Sequence, residues 1–136
     1  AKEVTSIVHF GLFWYYIENG EQVQGTRLVY HESQWYAVVN GFVDFGYTGL
    51  VQYNGEWYYV ENGLVNWNSD TLVQYNGDWY YTYGGGIAWS YTGLAQYNGD
   101  WYYVSNGCVD WNYSGYVTYN NYDYYVLNGY LDWSLN

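Results

Sequence analysis

Trp35, Trp57, Trp79 and Trp101 recur every 22 residues, and Gln52, Gln74 and Gln96 stand five residues before the last three of them. An indole beside an amide is a pairing that suits sugars. The flat C–H face of a pyranose lies on the ring while its hydroxyls exchange hydrogen bonds with the amide. The same rings have a second use, because the electron-rich face of an aromatic attracts a cation, and nearby carboxylates strengthen that attraction. Glu56, Asp78 and Asp100 follow the same interval as the Trp residues. The competing reading is that the Trp residues are the repeating core that any stack of repeats requires. A buried Gln without partners costs about 1–3 kcal/mol, which makes three Gln an unfavourable choice for a core column.

Catalysis is not expected. Glu56, Asp78 and Asp100 form one recurrent acidic column and Asp44, Asp110 and Asp132 another, whereas acid–base chemistry needs a singular pair of groups in diverging environments. Acids repeated in this way are solvated edge charges that discourage strand pairing between molecules, or they border the aromatic grooves. His9 and His31 have no Ser, Cys or acid at a motif spacing and make no metal pair. Cys108, the single cysteine, has no disulfide partner and no metal-ligand spacing. It shares its column with Phe42, Leu64 and Tyr130, which predicts a small buried hydrophobe. No cofactor is implied.

The elements that must position these residues are repeats. Gly20, Gly41, Gly63, Gly85, Gly107 and Gly129 form a further column, as do Phe45, Trp67, Trp89, Trp111 and Trp133. Six repeats of about 22 residues, approximately 4–25, 26–46, 47–68, 69–90, 91–112 and 113–134, fill one domain over 1–136. Asn54-Gly55, Asn76-Gly77 and Asn98-Gly99 separate short runs of period two, and Asn-Gly is the strongest signal for a two-residue hairpin. Gly11-Leu12, Glu32-Ser33 and Asn120-Asn121 hold the same place in the divergent repeats. A two-residue turn at Asn54-Gly55 sets Tyr53 opposite Glu56, Gln52 opposite Trp57, Val51 opposite Tyr58 and Leu50 opposite Tyr59. One face then carries Val51, Tyr53, Glu56, Tyr58 and Val60, and the other Leu50, Gln52, Trp57 and Tyr59. A lone hairpin is marginal in water, so each must bury one face on its neighbours. The fold class is all-β, a β-solenoid of stacked hairpins.

Composition agrees with this architecture. Of 136 residues, 23 are Tyr, 9 Trp and 4 Phe, and there is no Pro or Met. Aromatics burying roughly 150–250 Å² each supply apolar area that the aliphatics lack. Thirteen acidic residues against Lys2 and Arg27 give a net charge of −11. Binding to nucleic acid is thereby excluded, since it depends on Lys and Arg that displace counterions. No apolar run is long enough for a membrane helix. In the last repeat Asp123 replaces the Trp and Thr118 the Gln. A groove that needs the following repeat to complete it would leave this end with nothing to line, and a polar capping repeat predicts the same substitution.

The segment TGLVQYNGEWYYVENG resembles the cell-wall-binding or glucan-binding repeats of Gram-positive surface proteins, which are related to the choline-binding repeats. The similarity is strongest from Thr48 to Trp111. It implies tandem hairpins whose aromatic residues hold choline, glucan or a related glycan at the cell surface or in a secreted protein. Trp57, Trp79 and Trp101 correspond to the Trp of the family's WYY motif, and Tyr59, Tyr81 and Tyr103 to its second Tyr. Leu50, Leu72 and Leu94 replace a Trp that forms one wall of the usual choline cage. The added Trp67, Trp89 and Trp111 either restore that wall or belong to the core. The reading that follows is a non-catalytic extracellular module binding a cell-wall or dietary polysaccharide through Trp35, Trp57, Trp79, Trp101, the three Gln, the three Tyr and the added Trp residues. Its alternatives are a choline-binding module on teichoic acid and a structural spacer or oligomerising stalk.

Overall fold

The computed structural model describes residues 5–136; Lys2 lies outside them. Contacts divide the chain after Trp67 into two compact units of three repeats each. The first contains Ser6–Phe10, Phe13–Glu18 and Glu21–Gln22, then Thr26–His31, Gln34–Val39 and Phe42–Val43, then Gly49–Tyr53, Glu56–Glu61 and Leu64–Val65. In the second, Asp70–Tyr75, Asp78–Tyr83 and Gly86–Ile87 precede Gly93–Tyr97, Asp100–Ser105 and Cys108–Val109. Gly115–Tyr119, Tyr122–Leu127 and Tyr130–Leu131 complete it, followed by a 3-10 turn at Trp133–Leu135. Each repeat is thus an antiparallel hairpin and a two-residue third strand.

Turn chemistry sets this pattern. Asn54 and Gly55 have φ of 49° and 81°, the doubly positive geometry whose twist matches that of the flanking strands. Tyr53 pairs with Glu56, Gln52 with Trp57, Val51 with Tyr58 and Leu50 with Tyr59, the register that the two-residue turn predicts. Glu32-Ser33 and Asn120-Asn121 adopt the same positive φ values without glycine and also close two-residue hairpins. The second turn of the repeat uses Asn-Gly again, with Asn106 at 50° and Gly107 at 82°.

Repeats are joined by this second turn. The N–H of Ala37 donates to the carbonyl of Gly63 at 2.9 Å in the first unit, and those of Tyr81 and Tyr103 donate to Gly107 and Gly129 at 2.8 and 2.9 Å in the second. Each bond links a hairpin to the repeat that follows. The approach is close enough that a Cβ on Gly107 would lie 2.8 Å from the Ala88 carbonyl oxygen and 3.0 Å from the Trp89 Cα. Glycine is required here by packing as well as by φ. Tyr47 and Tyr113 brace the hairpin starts, their hydroxyls donating to the carbonyls of Leu50 and Tyr116 at 2.8 and 2.9 Å; Tyr91 bonds Leu94 in the same way.

The expectation of one buried face is corrected. Leu50 and Tyr59 are buried on one face, and Val51 and Val60 on the other, while Gln52, Tyr53 and Glu56 near the turn are exposed. Burial follows height along the hairpin: the middle hairpin of the second unit has a repeat against each face and buries Leu94 on one and Ala95 and Val104 on the other, while Gln96 near its tip stays exposed. Cys108 also departs from expectation. It is half-buried, since alternation on a two-residue strand turns Val109 inward and leaves its neighbour at the edge. Burial, then Asp78 and Asp110, raises its thiol pKa.

Gly99 has φ of 83° but open space around the position of a Cβ. Gly99→Ala should therefore cost only the left-handed backbone term, about 1–2 kcal/mol. Gly107→Ala adds a backbone clash and should cost roughly 1–3 kcal/mol more. Equal losses in denaturant unfolding would refute the close-approach account.

Candidate functional site: aromatic cavities between successive hairpins

The two faces of a hairpin serve two different sites. Trp35, on one face, meets Tyr53 of the next repeat with ring centroids 4.7 Å apart; Trp79 meets Tyr97 and Trp101 meets Tyr119, each at 5.0 Å. The following repeat supplies a second ring pair. Tyr58 lies edge-on to Trp67 at 5.9 Å, Tyr102 to Trp111 at 5.7 Å and Tyr124 to Trp133 at 5.8 Å. A cavity lies among the four rings in each case. Leu28 and Val65 complete the cavity with Trp35, Tyr53, Tyr58 and Trp67, whose volume is about 90 Å³. Leu72 and Val109 complete that with Trp79, Tyr97, Tyr102 and Trp111, about 120 Å³. The last, about 250 Å³, adds Leu94, Leu131, Asn120 and Tyr122 to Trp101, Tyr119, Tyr124 and Trp133.

The added Trp residues are not core: Trp67 is 52% exposed and Trp111 44%. The positions of Trp111 and of Trp133 are set by the second acidic column. Asp110 Oδ1 accepts the N–H of Asn112 at 2.9 Å, and Asp132 Oδ1 that of Ser134 at 2.9 Å, so each tight turn brackets the intervening Trp. Asp44 makes the same bond to Gly46 around Phe45. The Asp110 and Asp132 carboxylates thus hold cavity walls in place. Asp132 also accepts from the Ser134 hydroxyl, and these bonds lower its pKa.

Three of the four sequence-predicted Trp residues, Trp35, Trp79 and Trp101, line cavities, as do Trp67 and Trp111. Trp57 is half-buried, and Trp89 is exposed with Tyr80 edge-on at 5.8 Å. Tyr59, Tyr81 and Tyr103 do not line the aromatic cavities. Tyr59 and Tyr81 are buried, the Tyr81 hydroxyl donating to Asp70 at 2.7 Å, and Tyr103 stacks on Tyr113 at 3.9 Å. These residues share the Trp face but sit nearer the hairpin base, where both faces are covered. The preceding residues Tyr58 and Tyr102 point to the opposite face and so enter the cavity with the previous repeat. Tyr53, Tyr97 and Tyr119 were also missed as site residues, although alternation around the turn places them on that same face. Gln52, Gln74 and Gln96 are exposed beside their Trp and outside these cavities.

Between the first two repeats the arrangement is closed by its own rings. His31 takes the place of Tyr53 and Phe45 that of Trp67. Trp14 contacts Phe45 at 5.4 Å and Tyr36 at 5.7 Å, and His9 stacks on Trp14 at 3.6 Å. At the other end of the chain Asp123 is exposed and accepts from Thr118 at 2.5 Å. Each described cavity takes its first Trp from one repeat and three rings from the next. Among the described residues no cluster of His, Cys, Asp or Glu has metal-binding geometry, and no helix is long and apolar enough to cross a membrane.

Residues 28–44, 46–66, 68–81 and 90–110, together more than half of the chain, match the choline-binding repeat. The chain belongs to the choline-binding repeat family. Among solved structures it is similar to CbpJ from Streptococcus pneumoniae TIGR4, with 21% identity over 95% of this chain and 46% of that one and a TM-score of 0.36. Choline binding protein F from Streptococcus pneumoniae is 26% identical over 90% of this chain and 40% of its own, with a TM-score of 0.34. The chain spans less than half the length of either. No curated protein matches it.

Burial is the leading cause that raises the pKa values of Tyr81, Tyr91, Tyr102 and Tyr103 above 10. A group whose folded pKa exceeds its unfolded value contributes its stability in full below the unfolded pKa and loses it as pH rises through the folded one. Thermal stability should therefore hold from pH 8 to 9 and fall progressively above pH 10, in step with tyrosinate absorbance. A melting temperature unchanged to pH 12 would contradict the burial of these phenols.

Proposed function

We propose that this module binds quaternary ammonium head groups, namely the choline carried by a cell-wall polymer, in the three aromatic cavities. The observation that carries this reading is the ring of four aromatic side chains around a small cavity, made by adjacent repeats at corresponding positions. Aromatic faces attract a cation by about 0.5–2 kcal/mol per well-placed ring. In the two smaller cavities size supports a compact head group, since an apolar cavity of about 150 Å³ takes up benzene, and spaces of 90 and 120 Å³ admit only the edge of a sugar ring. Charge supports it as well. A net charge of −11 raises the local concentration of cations around the molecule. Trp67, Trp111 and Trp133 stand as the wall that the Leu residues at the family's Trp position do not provide. Tandem cavities add avidity on a polymer that repeats the head group, and the role is one of attachment at the cell surface, with no catalytic step assigned.

Choline at about 100 times its Kd should raise stability by about 2.7 kcal/mol per occupied site, seen as a rise in melting temperature that neutral oligosaccharides do not produce through these cavities. Trp111→Ala should weaken binding at its cavity about tenfold, the equivalent of a desolvated cation–π contact. A folded protein whose melting temperature ignores choline, and which is not retained on immobilised choline, would overturn the reading.

A further inference from the structure

The Trp101–Tyr119 ring pair lines a second cavity of different chemistry. It has a volume of about 210 Å³, and its walls include Asp70, Tyr81 and Gln96. We infer that this groove is a separate binding site for the hydroxylated ring of a neutral pyranose sugar. Three features carry the inference. Trp101 offers a half-buried indole, and Gln96 lies directly across the sheet from it, so an apolar face and an exposed amide are presented side by side. Asp70 adds a carboxylate whose Oδ1 is fixed by the Tyr81 hydroxyl at 2.7 Å, leaving its other oxygen to accept from a ligand. The volume exceeds the roughly 150 Å³ that takes up benzene, enough for a six-membered ring with substituents.

A pyranose meets all three features at once. Its C–H face stacks on the indole, a vicinal hydroxyl donates to Asp70, and the next hydroxyl both donates to and accepts from the Gln96 amide. A quaternary ammonium lacks donors for either polar group and is better held where rings surround it. The N-terminal compact unit provides an internal contrast. Its cavity around Trp35 and Tyr53 has Thr5 in place of Asp70 and Tyr30 in place of Gln96, and the Tyr30 ring lies on Trp35 at 5.2 Å. Where the amide and the carboxylate are missing, a tyrosine ring tilted against the indole takes the place of the amide. The groove does not depend on the head-group reading of the aromatic cavities. Together the two sites would let one Trp contact a sugar and a neighbouring head group of the same polymer.

The test is titration of the full chain with methyl β-D-glucopyranoside and with the methyl glycoside of N-acetylglucosamine, followed through the NMR signals of the Trp101 indole N–H and the Gln96 side-chain amide. Tetramethylammonium is titrated in parallel. At least one glycoside should shift both signals saturably. Gln96→Ala should weaken that binding about fivefold, and Asp70→Asn, which keeps an acceptor for Tyr81, about tenfold, the range for a lost hydrogen bond to a neutral and to a charged group. Trp133→Ala, which removes a wall of the neighbouring aromatic cavity, should leave the glycoside shifts in place. The inference fails if neither glycoside moves these signals, if both variants bind it as the parent does, or if tetramethylammonium alone occupies the groove. Loss of the choline response with the glycoside shifts intact would instead remove the head-group reading and leave this one standing.

Discussion

The close approach of one backbone to the next at the second turns built on Gly63, Gly107 and Gly129 is the constraint on which the rest depends. Gly63, Gly107 and Gly129 accept a hydrogen bond from the preceding hairpin while lying so near its chain that no Cβ fits. That contact places one hairpin's Trp opposite the next hairpin's Tyr within each compact unit. A residue more or less between the turns would carry the alternating side chains to the wrong face and dissolve the cavities.

Aromatic side chains do two jobs in this arrangement, distinguished by height along the hairpin. Near the base, Tyr16, Tyr59 and Tyr81 are buried among Val and Leu, supplying apolar area, and their hydroxyls reach Glu18, Glu61 and Asp70. Nearer the tip the same residue types stay half-open and enclose space. A large ring with one polar atom suits both positions, which is how a chain so poor in aliphatic residues builds a core and a set of cavities from one repeated unit.

The acidic residues also divide by position. Glu56 and Asp78 are solvated at the tips, as expected of edge charges, whereas Asp110 and Asp132 bind backbone N–H groups around the Trp residues that wall the cavities. Arg27 is held by Glu18 at 2.7 Å, and no Lys or Arg follows it, so the aromatic cavities carry no guanidinium or ammonium of the chain's own beyond residue 27.

Periodicity made the all-β class, the repeat length and the register of Leu50, Gln52, Trp57 and Tyr59 legible in the sequence, because turn chemistry and side-chain alternation are local and act within a few residues. The Trp column was legible for the same reason. Which Tyr joined it was not. Tyr58 and Tyr59 are adjacent and chemically identical, and only the stacking of one hairpin on the next decided that Tyr58 faces the preceding Trp while Tyr59 is covered at the base. Trp67 and Trp111 likewise read as core or wall with equal force until the tertiary structure left both in the open, Trp111 on a turn that Asp110 holds. Cavities belong to pairs of repeats, so their membership is a property of the contact between repeats, and that contact exists only in the tertiary structure.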